Sequence, residues 1–378
     1  MDWSLSAEKE SFRKVVRDFA EQVVKPRAYE MDQRAEFPLD IVRQMGELGL
    51  FGLPFAEEYG GGGSDYLTYC LAIEELARVD SSIAITLEAG VSLGAAPFAY
   101  FGTEEQKREW LVPMCAGEIL GAFGLTVPDA GSDAGATRTK AVEDDGEWVI
   151  DGSKAFITNS GTPISRVVTI TAVTGRGPEL TAIAVPHGTP GFTVAPAYKK
   201  MGWRASDTHE LRFDGCRVPV DNTVGGRGEG FGNFLRILDE GRIAIAALAV
   251  GLAQACLEES VSYARQRVSF GKPIGQYQGV SFRIADMAVG VENGRNLVYR
   301  AAGLRDSGRP FRKEAAMAKL YATEMAVSAA RDAVQVHGGY GFMDEAPVSR
   351  YYRDSKVLEI GEGTSEIQRM VIGRELGL

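Results

Sequence analysis

Apolar positions recur at helical spacing from Ser6 to about Gly117, and Phe12, Val15, Val16, Phe19 and Val23 form the first stripe. Ser6, ahead of Glu8 and Glu10, predicts the start of that helix, and Thr103-Glu104-Glu105-Gln106 has the form of a capping box. Between them Tyr59-Gly60-Gly61-Gly62-Gly63-Ser64 is expected to be a loop, because four successive glycines stabilise neither helix nor strand. An ordinary loop is the plainer reading there, and a phosphate cradle the alternative. From Gly121 to about Asn222 the pattern changes to short β-rich runs. Trp148 to Ile150 and Ala155 to Thr158 flank Asp151-Gly152, which predicts a tight hairpin turn. Arg166 to Val173 and Leu180 to Val185 are further strands, and Leu211 and Phe213 alternate with Arg212 as in a half-buried one. Helical spacing returns at Phe231 and persists over 233–267, 279–307, 311–336 and a shorter C-terminal stretch. The predicted fold class is α+β: an N-terminal α domain over 1–120, a middle β domain over 121–228 and a C-terminal helical bundle over 229–378. Gly225 to Gly230 forms the last linker.

Composition narrows the partners. A chain of 378 residues exceeds one ordinary core and has room to bury a bulky cofactor. Its formal charge of −10 argues against a nucleic-acid partner. Cys70, Cys115, Cys216 and Cys256 form no C-x-x-C, so they are expected to be reduced packing residues in a cytoplasmic protein. The residues from Met1 to Glu8 have neither the basic nor the apolar region of a signal peptide. Ile243 to Leu257, the longest uncharged and mostly apolar run, falls short of the roughly 20 residues that span a bilayer. A buried core helix is expected there, and no membrane partner.

Several chemistries are missing. No G-x-G-x-x-G or G-x-x-x-x-G-K-[ST] occurs, which disfavours a Rossmann or P-loop nucleotide site. His187, His209 and His337 are far apart, without H-E-x-x-H, and no G-x-S-x-G elbow exists. No metal site is expected. Four segments carry polar and glycine residues beyond what packing requires. Leu125 to Asp133 offers hydroxyls and free N–H groups on a loop after a strand. In Lys154 to Asn159, alternation puts Phe156 and Thr158 on one side of a strand, where an aromatic and a hydroxyl can meet a planar ring. Arg265 to Lys272 ends a long helix with cations, and Gln335 to Gly341 ends another with glycines. In Gly361-Glu362-Gly363-Thr364-Ser365-Glu366 a carboxylate is bracketed by glycines. Desolvation between a flat cofactor and a substrate would make it a general base. Taken singly, each segment also reads as an ordinary turn, core position or helix end.

In this order the segments resemble the acyl-CoA dehydrogenase family, from about Leu5 to the C-terminus. The most specific matches are Gly124 to Asp133, Arg267 to Gly271, Lys313 to Lys319, Gln335 to Gly341, Arg353-Asp354 and Glu362 to Gln368. The resemblance implies FAD held noncovalently between the β domain, the bundle and a neighbouring subunit, in a homotetramer, with a dimer as the alternative. Phe123, Leu125, Thr126, Ser132, Phe156 and Thr158 would contact the flavin half. Arg267, Phe270, Gln278, Gln335, Val336, Gly338 and Gly339 would hold the pyrophosphate and adenosine, largely across the subunit interface. Thr364 and Glu366 would complete the site, with Asp239, Arg242, Ser132 and Gly361 along the acyl-CoA channel. The implied reaction is α,β-dehydrogenation of an acyl thioester. Glu362 removes the α proton while the β hydrogen moves as hydride to the flavin, and the backbone N–H of the base and a ribityl hydroxyl polarise the carbonyl.

Some relatives carry the base on the first bundle helix, where this chain has Asp239-Glu240-Gly241-Arg242. Glycine stands at the aligned position, which favours Glu362 and leaves Glu240 as the neighbouring alternative. Gly361 replaces the tyrosine of many straight-chain members and implies a pocket that admits branched acyl groups. Phe156 stands where many members have tryptophan. Leu87 to Leu93 lacks the arginine with which glutaryl-type members bind a distal carboxylate. A short or short-branched acyl-CoA dehydrogenase passing electrons to an electron-transfer flavoprotein is the leading reading. A same-fold oxidase or monooxygenase and a non-catalytic scaffold are the alternatives. The choice between coenzyme A and an acyl carrier protein stays open.

Overall fold

A computed structural model describes residues 5–175 and 179–378. Met1 to Ser4, part of the segment read for a signal peptide, lie outside the described residues. The first part is helical: α1 (Ala7–Phe19), α2 (Ala28–Arg34), α3 (Leu39–Glu47), α4 (Tyr66–Ala77), α5 (Ser81–Glu88), α6 (Ala96–Phe101), α7 (Glu104–Gln106) and α8 (Val112–Cys115). Ser6 caps α1 by accepting from the Lys9 N–H, and Phe12, Val16, Phe19 and Val23 face the core while Val15 is exposed. The Thr103 capping box forms in both directions, satisfying two N–H groups that an open helix end would leave bare. The glycine loop is a turn: the N–H groups of Gly61, Gly62, Gly63 and Ser64 donate to carbonyls of residues 52–56, so none is left to cradle a phosphate. Between α5 and α6 the helix widens into π-type turns over Ala89–Ala95, a local underwinding that re-aims side chains and is common beside functional sites.

Strands β1 (Leu120–Gly124), β2 (Lys140–Asp144), β3 (Glu147–Thr158), β4 (Ser165–Val173), β5 (Leu180–Pro186), β6 (Phe192–Val194) and β7 (Thr208–Pro219) form one mixed sheet, in the order β1-β4-β2-β3-β7-β6 with β5 on β4. Trp148, Ile150, Ile157, Leu211, Phe213 and Val218 share its apolar core. The expected hairpin at Asp151-Gly152 is not a turn. β3 runs straight through it, and the reversal lies at Asp145-Gly146, whose φ values of 51° and 76° suit the right-handed twist of a two-residue hairpin. Asp151-Gly152 instead marks a register shift against β7.

The bundle consists of α9 (Gly230–Gln266), α10 (Gln278–Asp306), α11 (Arg312–His337), α12 (Pro347–Ser355) and α13 (Ser365–Glu375), with a small ribbon of β8 (Val268–Ser269) and β9 (Lys272–Pro273). α9 is its axis and packs against α4, α10 and α11. Two helical stretches, Ser81–Phe101 and Gly230–Gln266, are apolar and long enough to cross a membrane, but 89% and 78% of their apolar windows are buried inside the fold. All four cysteines are buried and unpaired. Asp354 ties the three regions together: its fully buried carboxylate accepts from the Ser81 hydroxyl of α5 and from the Trp203 N–H in the loop between β6 and β7, both at 2.7 Å. Burial pushes that acid up to about 6. Arg353 forks onto the buried Asp32 of α2 in the first domain. This part of the sequence motif is therefore an interdomain clasp.

Candidate active site

Glu362 sits in the turn between α12 and α13 with φ at 51°, a left-handed conformation that costs a non-glycine residue energy and persists only where the surroundings enforce it. They do so through the backbone. The Gly363 carbonyl accepts from the Lys319 ammonium at 2.8 Å and from the Gln368 amide at 2.9 Å, and both side chains are fully buried. Burial lowers the Lys319 pKa to about 8. Thr364 caps α13, its hydroxyl accepting from the Ile367 N–H, and Glu366 is exposed beside it. The Glu362 side chain points into the protein. Both carboxylate oxygens are shut from solvent, and neither meets a hydrogen-bond donor among the described residues. Desolvation raises its pKa, while Glu88, Lys319 and Arg242 act in the opposite direction. A dry acid raised in this way suits proton abstraction near neutral pH. The Glu362 backbone N–H donates to no protein group among the described residues, which leaves it free for a thioester carbonyl.

The first bundle helix places the two nearby acids differently. A Cβ on Gly241 would lie 2.2 Å from the Glu362 Oε2, so the glycine makes room for the carboxylate itself. Glu240 is committed elsewhere, accepting from the Tyr100 hydroxyl at 2.7 Å and from Arg305 at 2.9 Å. Asp239 lies between Arg242 and Arg312, and the buried Arg242 keeps a free Nε.

On the sheet, β3 is bulged against β7 between Lys154 and Ile157, and Phe156 takes a φ of 60°. The bulge turns the ring outward, 65% exposed, with Tyr198 beside it at 5.3 Å, while Ile157 stays in the core. Thr126 and Thr158 are half-buried, and neither hydroxyl bonds to a protein group among the described residues. Lys154, fully buried, donates to the Leu125 carbonyl at 3.1 Å and fixes the loop that carries Thr126 and the exposed Ser132. Burial lowers its pKa to about 7. The Phe123 ring is stacked on Phe234 of α9 at 3.9 Å, and Leu125 is buried, so these two brace the sheet against the bundle. An outward aromatic, two unclaimed hydroxyls and a dry carboxylate fit a flat flavin and its substrate.

The expected adenosine side gathers at the other end of the bundle. Arg267 lies 6.0 Å over the Tyr340 ring, Phe270 is 94% exposed at a φ of 47°, and Gln278, Gln335, Gly338 and Gly339 are exposed near them in sequence. The Val336 side chain is in the bundle core, which leaves its backbone to face a ligand. No hydrogen bond or ion pair joins this group to the flavin-side group among the described residues. His337 stacks on Tyr263 at 4.3 Å and its Nδ1 faces the Ala333 carbonyl, a packing role; His209 is tied to Asp207 and the Ala195 carbonyl. No group of three or more acidic, histidine or cysteine side chains could hold a metal among the described residues. Sequence reasoning assigned no role to Glu88, Tyr69, Ser92 or Lys319, which surround the base. Lys319 at least ends a motif, whereas Glu88 is a lone acid in an apolar helix.

Models of the acyl-CoA dehydrogenase N-terminal, middle and C-terminal domains match residues 6–118, 122–216 and 228–377. The chain belongs to the acyl-CoA dehydrogenase family, and it is an FAD-dependent oxidoreductase. It is 50% identical over 380 residues to the probable acyl-CoA dehydrogenase YngJ of Bacillus subtilis, covering 100% of both chains. Its structure matches butyryl-CoA dehydrogenase from Megasphaera elsdenii with a TM-score of 0.97 at 43% identity, covering 100% of both chains. It also matches, with a TM-score of 0.97 at 41% identity over 100% of this chain and 99% of the other, a structure described as the electron transferring flavoprotein of Acidaminococcus fermentans.

Proposed function

We propose that this enzyme dehydrogenates short acyl-CoA thioesters across Cα and Cβ with Glu362 as the base, and passes the electrons to an electron-transfer flavoprotein. The observation that carries the base assignment is the Glu362 carboxylate, dry, without a donor and seated over Gly241. Glu362 takes the α proton, and its backbone N–H holds the thioester carbonyl so that the α carbon becomes acidic. When bound, FAD would supply the acceptor for the β hydrogen and its electron pair. Thr126, Thr158 and Phe156 hold and orient the ring from the sheet side. The similarity to butyryl-CoA dehydrogenase supports a short chain, and the match to the structure described as the electron transferring flavoprotein of Acidaminococcus fermentans supports the acceptor. The adenosine-side residues form a separate, exposed group, which fits completion of the site by a neighbouring subunit in a homotetramer. Four buried free cysteines fit a reducing cytoplasm.

Gly361 refines the substrate. A Cβ there would meet only the Val357 carbonyl at 3.6 Å, so a larger side chain has room and its absence leaves open volume beside the base. That volume admits branched acyl groups. The test is the visible spectrum of the flavoprotein during anaerobic addition of butyryl-, isobutyryl-, 2-methylbutyryl- and isovaleryl-CoA. Bleaching of the flavin by a short thioester is expected, with a branched one turned over faster than butyryl-CoA. Equal or better turnover of butyryl-CoA would remove the branched-chain refinement, and no bleaching by any of them would remove the substrate reading.

A further inference from the structure

A second acid, one that the reaction as derived leaves idle, lies against the base. Glu88 ends α5 at the point where the helix widens, it is fully buried, and neither of its carboxylate oxygens meets a donor among the described residues. Both oxygens of Glu362 are equally bare, and the two carboxyl groups lie within hydrogen-bonding reach of each other. Two ionised carboxylates cannot share a dry pocket, because repulsion adds to the cost of desolvating each. One proton shared between them removes that repulsion and satisfies an oxygen on each side.

The surroundings decide where that proton resides. From α9 Arg242 and from α11 Lys319 bring positive charge to Glu362. Among the described residues no cation lies beside Glu88; its polar neighbours are Glu362 itself and Ser92. From α4 comes Tyr69, a neutral phenol bonded to the Ser92 hydroxyl at 3.0 Å and to the Glu88 carbonyl at 3.3 Å. The negative charge therefore belongs on Glu362 and the proton on Glu88. We propose that Glu88 is a positioning residue for the base: it stays protonated and donates its proton in a hydrogen bond to the Glu362 carboxylate, holding that carboxylate ionised and aimed. On turnover the Cα–H bond breaks, its proton goes to Glu362, and the pair is left neutral with two protons. The electrons of that bond become the C=C bond as the β hydrogen leaves with its own pair to the FAD that the established activity supplies.

The inference rests on Glu362 being the base, and the experiment separates the two. In the holoenzyme, the acid limb of the kcat/KM profile with butyryl-CoA is compared for wild type, Glu88→Gln and Glu88→Leu. The amide of Glu88→Gln still donates, so its acid limb stays within a few tenths of a pH unit of wild type. Glu88→Leu removes the donor and leaves the desolvation, so its limb moves up by about one unit, a tenfold loss below it. Infrared difference spectra of the resting protein supply a readout independent of turnover: a protonated-carboxyl band present in wild type and absent in Glu88→Gln. Equal limbs in all three proteins, equal displacement in both variants, or a band that survives Glu88→Gln would each overturn the proposal. If Glu362→Gln keeps normal turnover, the base assignment itself fails, whatever the infrared band shows.

Discussion

The two halves of the site treat water in opposite ways. On the sheet side the chain turns Phe156 outward on a strained bulge, and at the bundle end Phe270 is almost bare. Around Glu362 the carboxylate oxygens of both Glu362 and Glu88 are shut from solvent. The open half is built to be covered, since an exposed aromatic gains hydrophobic free energy when a ring lands on it. The closed half is built to be tuned, since desolvation adjusts an acid only where water is already absent. Cofactor affinity and proton chemistry are thereby carried by separate residues, and mutations should separate them.

The sharpest break comes from Glu362→Gln. It should lower the rate of flavin reduction by butyryl-CoA about 10²- to 10⁴-fold, the usual range for a lost general base, while flavin absorbance and content stay at wild-type levels. Loss of FAD together with activity would mean that the halves are not separate. Gly241→Ala should come next. Its Cβ would collide with the Glu362 carboxylate at 2.2 Å, and a base displaced by an ångström costs on the order of 10²-fold in kcat, with FAD again retained. Stopped-flow reduction beside a flavin titration reads both quantities. Phe156→Ala acts on the open half, where loss of one aromatic contact worth about 0.5–1.5 kcal/mol should raise the FAD dissociation constant up to roughly tenfold. The acid limb of its pH profile should not move.

The smallest effect concerns stability. Glu88 has its pKa raised in the folded protein, chiefly by burial, so the native state binds more protons than the unfolded chain above the ordinary glutamate pKa of about 4.3. Its contribution is therefore fully present at low pH and declines as pH rises toward the folded value. Glu88→Gln has no such group, and its stability to urea should fall less steeply between mildly acid and neutral pH than that of wild type. Parallel slopes would show that Glu88 does not bind an extra proton in the folded state.

Helix starts and the α-β-α order were legible because caps and apolar spacing act within a few residues, as at Ser6 and Thr103. The Asp151-Gly152 hairpin was misread because an identical dipeptide at Asp145-Gly146 competes for the turn. Which one reverses the chain depends on the pairing of β3 with β7, a long-range matter. Phe156 was singled out by alternation alone, but its exposure comes from the bulge.

By itself the sequence determined the three-part architecture, the absence of Rossmann and P-loop signatures, and the glycine-bracketed acid at 362, all of which rest on spacing along the chain. Only the tertiary structure decided that Glu240 is spent on Arg305 and Tyr100, that Gly241 clears space for the base, and that Glu88 faces it. Those facts depend on α5, α9 and α11 converging on one turn. Desolvation and charge pairing are set by which groups meet in space, and residues 88, 241, 319 and 362 become neighbours only when the chain folds.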